Sequence, residues 1–260
     1  MRAIILAAGK GSRLKGVAGD KPKCLANVGH YSLIERQILA LRASGIDDIV
    51  VIVGFCADKV RTVCGPEIEY IENPIFFRTS SLYSLWLARH RLADGFVVLN
   101  ADVLFHPQMI ADLITARYQD ALLISYKDET TRPLGDEEMK VKVSAGRVTD
   151  ISKNIKPDDA DGENVGIVKF GPSGANLLSK QIGMLIARGH HRAWAPRAFR
   201  EFACARPLHA IGTRGLPWIE IDFPEDYYHA IDKILPEIEE GELGFVRPIA
   251  LATAAVSERV

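Results

Sequence analysis

The chain has 260 residues, 48% of them hydrophobic, with 32 basic against 33 acidic side chains and a formal net charge of −1. That length buries a full core as one large α/β domain or two small ones, and the balanced charge excludes a nucleic-acid binder relying on a global positive field. Four separated cysteines (Cys24, Cys56, Cys64, Cys204) and no 18-residue apolar span read as a cytoplasmic protein with reduced thiols, no zinc or redox motif and no membrane crossing.

The first element is the apolar run Ala3-Ile4-Ile5-Leu6-Ala7-Ala8, a buried parallel strand over 2–8 that feeds directly into Gly9-Lys10-Gly11-Ser12-Arg13-Leu14. It is too short, and too soon broken by glycine, to be a signal peptide. An amphipathic helix is expected over 33–44, capped by Gly45, followed by strands over 48–54 and 68–72. Residues 80–90 read as a helix, 96–101 as another strand ending at Asp102, Pro107 as a helix start, and 121–126 as the next strand. This βαβα alternation implies a doubly wound, mostly parallel core. Beyond residue 127 the texture changes to short strands over 140–143 and 147–152, joined by a hairpin at Ala145-Gly146. A strand over 165–170, a helix over 173–188, two extended pieces within 207–222 and a helix over 224–234 follow. Without a Gly-, Ser- or Pro-rich linker, residues 1–236 read as one domain, with 237–260 as a weakly periodic tail.

A strand, a glycine turn and converging cations form a phosphate site at the carboxyl edge of an α/β sheet. Spacing narrows it. The dinucleotide fingerprint needs a third small residue where Leu14 stands, and the P-loop needs Ser or Thr where Gly11 follows Lys10. Leu6 to Leu14 instead resembles the L-A-A-G-x-G-x-R-L signature of nucleotidyltransferases that activate phosphorylated small molecules with an NTP. Lys21-Pro22-Lys23-Cys24-Leu25 resembles the K-P-K-x-L segment that trails it. Three further segments are similar to the phosphocholine-type cytidylyltransferases. They are Glu72-Asn73-Pro74 with Thr79 to Leu85, Gly162 to Ile167, and Trp218-Ile219-Glu220-Ile221-Asp222 with Pro224-Glu225-Asp226. Thr79-Ser80-Ser81 stands where such enzymes often carry asparagine, so cytosine recognition would rest on hydroxyls.

The resemblance implies a Rossmann-like fold of the nucleotide-diphospho-sugar transferase type, with a small antiparallel extension. It implies CTP or another NTP as donor, a small phosphorylated or phosphonylated acceptor, and Mg²⁺ as cofactor, and it leaves a homodimer open. Leu6, Ala7, Ala8, Gly9, Gly11, Ser12, Thr79, Ser80, Ser81 and Ala101 would line the nucleotide site. Arg13 would hold the β- and γ-phosphates, Lys23 the α-phosphate and Lys153 the acceptor's phosphate, with Lys156 close enough in sequence to be confused with Lys153. Asp102 and Asp222 would bind the metal, since Mg²⁺ prefers hard oxygen ligands. Taken alone, an aspartate after a strand also serves as a turn former or helix cap, and Asp222-Phe223-Pro224-Glu225 also reads as the cap of the last helix. On the acceptor side we expect Tyr83, Glu163, Asn164, Trp218 and Glu220, with Trp86, Tyr126 and Trp194 as further aromatic faces. Two alternatives stay open: a hexose-1-phosphate uridylyl- or guanylyltransferase, and a non-catalytic nucleotide-binding regulatory subunit. A D-x-D glycosyltransferase is disfavoured, because Asp102-Val103-Leu104 lacks the second aspartate.

Overall fold

The structure is a computed structural model that describes residues 1–129 and 133–243. Its strands are β1 Arg2–Ala7, β2 Asn27–Val28, β3 Tyr31–Ser32, β4 Ile49–Val53, β5 Glu69–Glu72, β6 Phe96–Asn100 and β7 Val103–Phe105. They continue with β8 Ala121–Tyr126, β9 Lys140–Ser144, β10 Arg147–Ser152, β11 Gly162–Phe170, β12 His209–Gly212 and β13 Trp218–Glu220. The α-helices are α1 Lys15–Ala18, α2 Leu33–Ala43, α3 Ala57–Cys64, α4 Ser81–Leu87 and α5 Gln108–Thr115. Then come α6 Pro172–Ala187, α7 Pro196–Ala205, α8 Pro224–His229 and α9 Leu235–Leu243, with a π-helical turn Ala230–Ile234 between the last two.

Nine strands form one sheet in the order β5-β4-β1-β6-β11-β8-β12-β10-β9. The half from β5 to β6 is parallel, and β11 enters antiparallel to both β6 and β8. The antiparallel extension therefore joins the sheet at its centre, through β11, as well as at the β9–β10 edge. Runs such as Ile-Val-Val-Ile-Val in β4 are buried at every position, as a strand covered on both faces requires. Ile5, Val51, Val97 and Leu99 pack on one face, while Ile4, Val50, Val98 and Phe170 pack on the other. Helix α2 starts where expected because Ser32 and Glu35 make a reciprocal capping box, with Ser32 N–H donating to Glu35 Oε2 at 2.8 Å. The Ala145-Gly146 hairpin is present, both residues taking positive φ.

Two features go beyond the sequence reading. The segment 80–90 is split into α4 and a 3-10 turn Arg89–Arg91. The expected tail boundary after residue 236 falls inside α9, where Ile238 is buried against Leu14, Val28 and Ile219. Residues 244–260 lie outside the described residues.

What positions the site is a small ribbon outside the main sheet. Strand β7 leaves the end of β6 and pairs antiparallel with β13, with Leu104 opposite Ile219 and Val103 opposite Glu220. Ile221 N–H then donates to the Asp102 carbonyl at 2.9 Å. Leu104, Ile219 and Ile221 bury the ribbon against Leu14 and Val28, so its carboxylates stand beside the glycine loop.

Candidate active site

The loop after β1 turns because Gly11 adopts φ +62°, a conformation costly for any residue with a Cβ. A Cβ there would also lie 2.4 Å from the Cβ of Lys23. The first glycine segment and the Lys-Pro-Lys segment are therefore packed into one another. Leu14 is fully buried and anchors the far side of the turn.

Lys23 points into the acidic ribbon. Its Nζ is 2.7 Å from Asp102 Oδ2 and 2.5 Å from Asp222 Oδ1, and Arg13 Nη2 lies 3.2 Å from Asp222 Oδ2. Burial disfavours the Lys23 ammonium, but the two carboxylates outweigh it and its pKa rises above the ordinary lysine value. Burial likewise opposes ionisation of Asp222, yet Lys23 and Arg13 hold its carboxyl below the usual aspartate range. Glu220 joins them. Oxygens of Asp102, Glu220 and Asp222 all lie within 4.8 Å of one another. Burial, followed by the charges of Asp102 and Asp222, pushes the Glu220 carboxyl up to about 8.

Neither aspartate serves as the cap that its sequence position also allows. Asp226 caps α8, its Oδ2 accepting from Asp222 N–H at 3.0 Å and Phe223 N–H at 2.8 Å, which leaves the Asp222 carboxylate for Lys23 and Arg13. Asp102 Oδ2 faces Lys23, whereas its Oδ1 is buried and has no hydrogen-bond partner. A buried carboxylate oxygen without a partner, inside a cluster of three carboxylates, suits a hard divalent cation. The donor set fits.

These groups form one wall of a cavity of about 390 Å³. Leu6, Ala7, Ala8, Gly9, Gly11, Ser12 and Arg13 line it with Lys23, Ala101 and Asp102. Thr79, Ser80, Ser81, Lys153, Asn164, Glu220 and Asp222 complete the expected set that reaches it. The hydroxyl segment is held in place by its neighbours. Thr79 Oγ1 donates to Ile75 O at 3.1 Å and accepts from Asn73 Nδ2 at 3.0 Å. Ser80 N–H donates to His191 O at 3.0 Å, and Ser81 Oγ accepts from Ala195 N–H at 2.9 Å.

Tyr83, Glu163 and Trp218, and with them the further aromatics Trp86 and Tyr126, do not line the cavity although expected on the acceptor side. The Tyr83 ring packs against Trp86, 5.3 Å between centroids, and meets His191 edge-on at 5.6 Å, because the helical repeat turns it onto the core. His191 is thus part of that packing. Trp218 is half-buried against the core, opposite Phe105 in the β13–β7 pair. Glu163 sits in the sheet between Ser125 and Lys140, one position away from the cavity-lining Asn164. Lys156 does not reach the cavity either.

In their place the structure brings in residues that carried no motif. Glu137, Met139, Trp194 and Pro196 line the side near Lys153. Lys153 Nζ lies 4.9 Å from the Trp194 ring centroid and 3.5 Å from Glu137 Oε2. Trp194 was legible only as one of several spare aromatics, while Glu137 and Met139 lie in an irregular segment with no periodicity.

The sequence profile of the MobA-like NTP transferase domain matches residues 3–207, well over half of the chain. The chain belongs to the MobA-like NTP transferase family. It is a nucleotidyltransferase, and Asp222 and the β13 half of the ribbon lie beyond the matched span, whereas Asp102 and β7 lie within it. The chain is 26% identical over 257 residues to the CTP:phosphoglutamine cytidylyltransferase of Campylobacter jejuni, covering 90% of this chain and 100% of that one. It is 32% identical over 155 residues to the choline-phosphate cytidylyltransferase of Streptococcus pneumoniae, covering 57% of this chain and 67% of that protein. A third relative, the bifunctional IPC transferase and DIPP synthase of Rubrobacter xylanophilus, is 27% identical over 246 residues; the match takes in 93% of this chain but about half, 54%, of the relative. Among solved structures, the CTP:phosphocholine cytidylyltransferase from Streptococcus pneumoniae superposes with a TM-score of 0.73 at 25% identity, covering 89% of this chain and 97% of that one. Among the described residues no helix is long and apolar enough to cross a membrane.

Proposed function

We propose that this nucleotidyltransferase is a Mg²⁺-dependent cytidylyltransferase. It transfers CMP from CTP to a small phosphorylated or phosphonylated alcohol of the phosphocholine, inositol phosphate or 2-aminoethylphosphonate type, and releases pyrophosphate. The observation that carries the reading is the contact between two charge systems. An anion-binding glycine loop and Lys23 meet three clustered carboxylates at one end of a single cavity. The cytidylyltransferase names of the relatives support CTP over other donors.

The roles follow from charge. Backbone amides from Ala8 to Ser12, with Arg13, hold the β- and γ-phosphates, and Lys23 moves from its carboxylate partners toward the α-phosphate. An oxygen of the acceptor's phosphate attacks the α-phosphorus, a new P–O bond forms, and the bond to the pyrophosphate oxygen breaks. Lys153 holds the acceptor's phosphate on the opposite side. No general base is needed, because the attacking oxygen is already ionised at neutral pH. Asp102 and Asp222, with Glu220 beside them, would hold Mg²⁺, which supplies positive charge between two anions that otherwise repel. What the chain itself contributes is positioning and electrostatics, and removing one such cation costs a few kcal/mol of barrier, by analogy with loss of an oxyanion donor.

The test is pyrophosphate release with CTP, UTP, GTP and ATP, each against phosphocholine, inositol 1-phosphate, 2-aminoethylphosphonate and hexose 1-phosphates. Turnover with CTP and one of the first three acceptors is expected. Preference for UTP or GTP with a hexose 1-phosphate would establish the sugar-nucleotide alternative. Tight NTP binding with no turnover would mean a regulatory subunit, although Arg13, Lys23, Asp102 and Asp222 are all present.

A further inference from the structure

Lys140 opens β9 and has no exposed surface at all. A lysine ammonium carries three N–H donors and no acceptor. Here the three go to three main-chain carbonyls of one short segment: Gly135 O at 2.8 Å, Asp136 O at 3.2 Å and Glu138 O at 3.2 Å. Burying a charge without such partners is costly, so a lysine spent entirely on backbone oxygens holds that backbone firmly. The segment is pinned at two further points. Gly135 N–H donates to Glu138 Oε2 at 2.8 Å, and Met139 O accepts from Asn164 N–H at 2.9 Å. Glu137 and the adjacent Met139 line the cavity; Glu137 Oε2 lies 3.5 Å from Lys153 Nζ, which in turn lies over the Trp194 ring.

We infer that Lys140 is a positioning residue for the acceptor. Its ammonium folds residues 135–138 around itself and thereby sets where Glu137 and Met139 stand relative to Lys153. Lys140 touches neither the glycine loop nor the carboxylates in the contacts given above, so its effect falls on the acceptor half of the site and spares the nucleotide half. The inference rests on the functional reading only for which substrate occupies that half. The clamp itself is a property of the free protein.

The first measurement therefore needs no substrate. Hydrogen exchange of the free protein is compared between wild type and Lys140→Met, which keeps the chain length and removes the donors. Amides of residues 135–140 should exchange faster by about ten-fold or more, with those of residues 2–14 unchanged. Should Lys140→Met fail to fold, Lys140→Gln, which keeps part of the donor set, should show the same localised loss. The second measurement is steady-state kinetics with CTP and the best acceptor among phosphocholine, inositol 1-phosphate and 2-aminoethylphosphonate. The variant's KM for the acceptor should rise by about ten-fold while its KM for CTP stays within about two-fold. A merely structural lysine would lower the melting temperature without that split. Unchanged exchange at 135–140, or equal shifts in both KM values, would overturn the inference. A wild-type protein that turns over none of the acceptors would instead overturn the functional reading, and the exchange experiment would still decide the clamp.

Discussion

Replacing Lys23 with methionine isolates the electrostatics of the site, because the side-chain length is nearly kept and only the ammonium is lost. In the wild type that ammonium lies 2.7 Å from Asp102 and 2.5 Å from Asp222. Without it, carboxylates whose oxygens lie within 4.8 Å of one another face each other, with Arg13 as the ion-pair partner that remains among the described residues. Two unit charges at that separation and an effective dielectric near 20 repel by about 3.5 kcal/mol. The side chains of Asp102 and Asp222 keep 24% and 27% of their exposure, and solvent screens part of this. The expected loss of stability is then about 3 kcal/mol, at the lower end for breaking a buried ion pair, or roughly 9 °C in Tm for a domain of this size. The assay is thermal unfolding of wild type and Lys23→Met in EDTA and in millimolar MgCl₂. Magnesium should restore most of the variant's Tm and raise the wild type's much less, because a cation bound only to the folded state stabilises by mass action. A variant that melts with the wild type in EDTA, or that gains no more from magnesium, would refute the charge-cluster reasoning.

Three other outcomes are expected. Asp102→Asn should melt within about 3 °C of wild type yet lose about 100-fold or more in pyrophosphate release, on the scale of a lost transition-state contact; a large drop in Tm would make Asp102 a structural turn residue. Gly11→Ala forces a Cβ into φ +62° and to within 2.4 Å of the Lys23 Cβ. It should cost about 1–2 kcal/mol in backbone strain alone and raise the KM for CTP, measured with acceptor in excess, by about ten-fold, and an unchanged KM would separate Gly11 from the nucleotide. Burial pushes the Cys24 thiol up to about 12, whereas Cys204 is exposed. In DTNB modification at pH 8 mapped by mass spectrometry, Cys204 should react in the native protein and Cys24 only as the chain unfolds; rapid Cys24 labelling would show that the Lys23 segment opens.

The strands, the glycine turn and the Lys-Pro-Lys segment were legible because their signals are local. A buried parallel strand such as β4 is apolar at every position, and Gly11 marks its own turn. What the sequence hid is long-range. Pairing of β7 with β13 brings Glu220 to the aspartates, and no pattern near Glu220 in the sequence reveals that approach. The antiparallel entry of β11 between β6 and β8 was equally silent, since a fully buried strand reads alike in either direction. Tyr83 and Trp218 are expected on the acceptor side as aromatic faces, but helical phase and strand pairing turn both rings onto the core. Lys140 was hidden by its surroundings. Lys140-Val141-Lys142-Val143 alternates like an edge strand with its lysines in water, and only the tertiary fold encloses the first of them.

The most direct test is a crystal grown with CTP and Mn²⁺ in place of Mg²⁺, read by anomalous scattering at the manganese edge. One manganese among Asp102, Glu220 and Asp222, with Lys23 drawn off the carboxylates and the triphosphate lying along Ala8 to Arg13, is the expected result. Nucleotide bound elsewhere, or a metal bound away from those three carboxylates while Lys23 keeps its place between them, would contradict it.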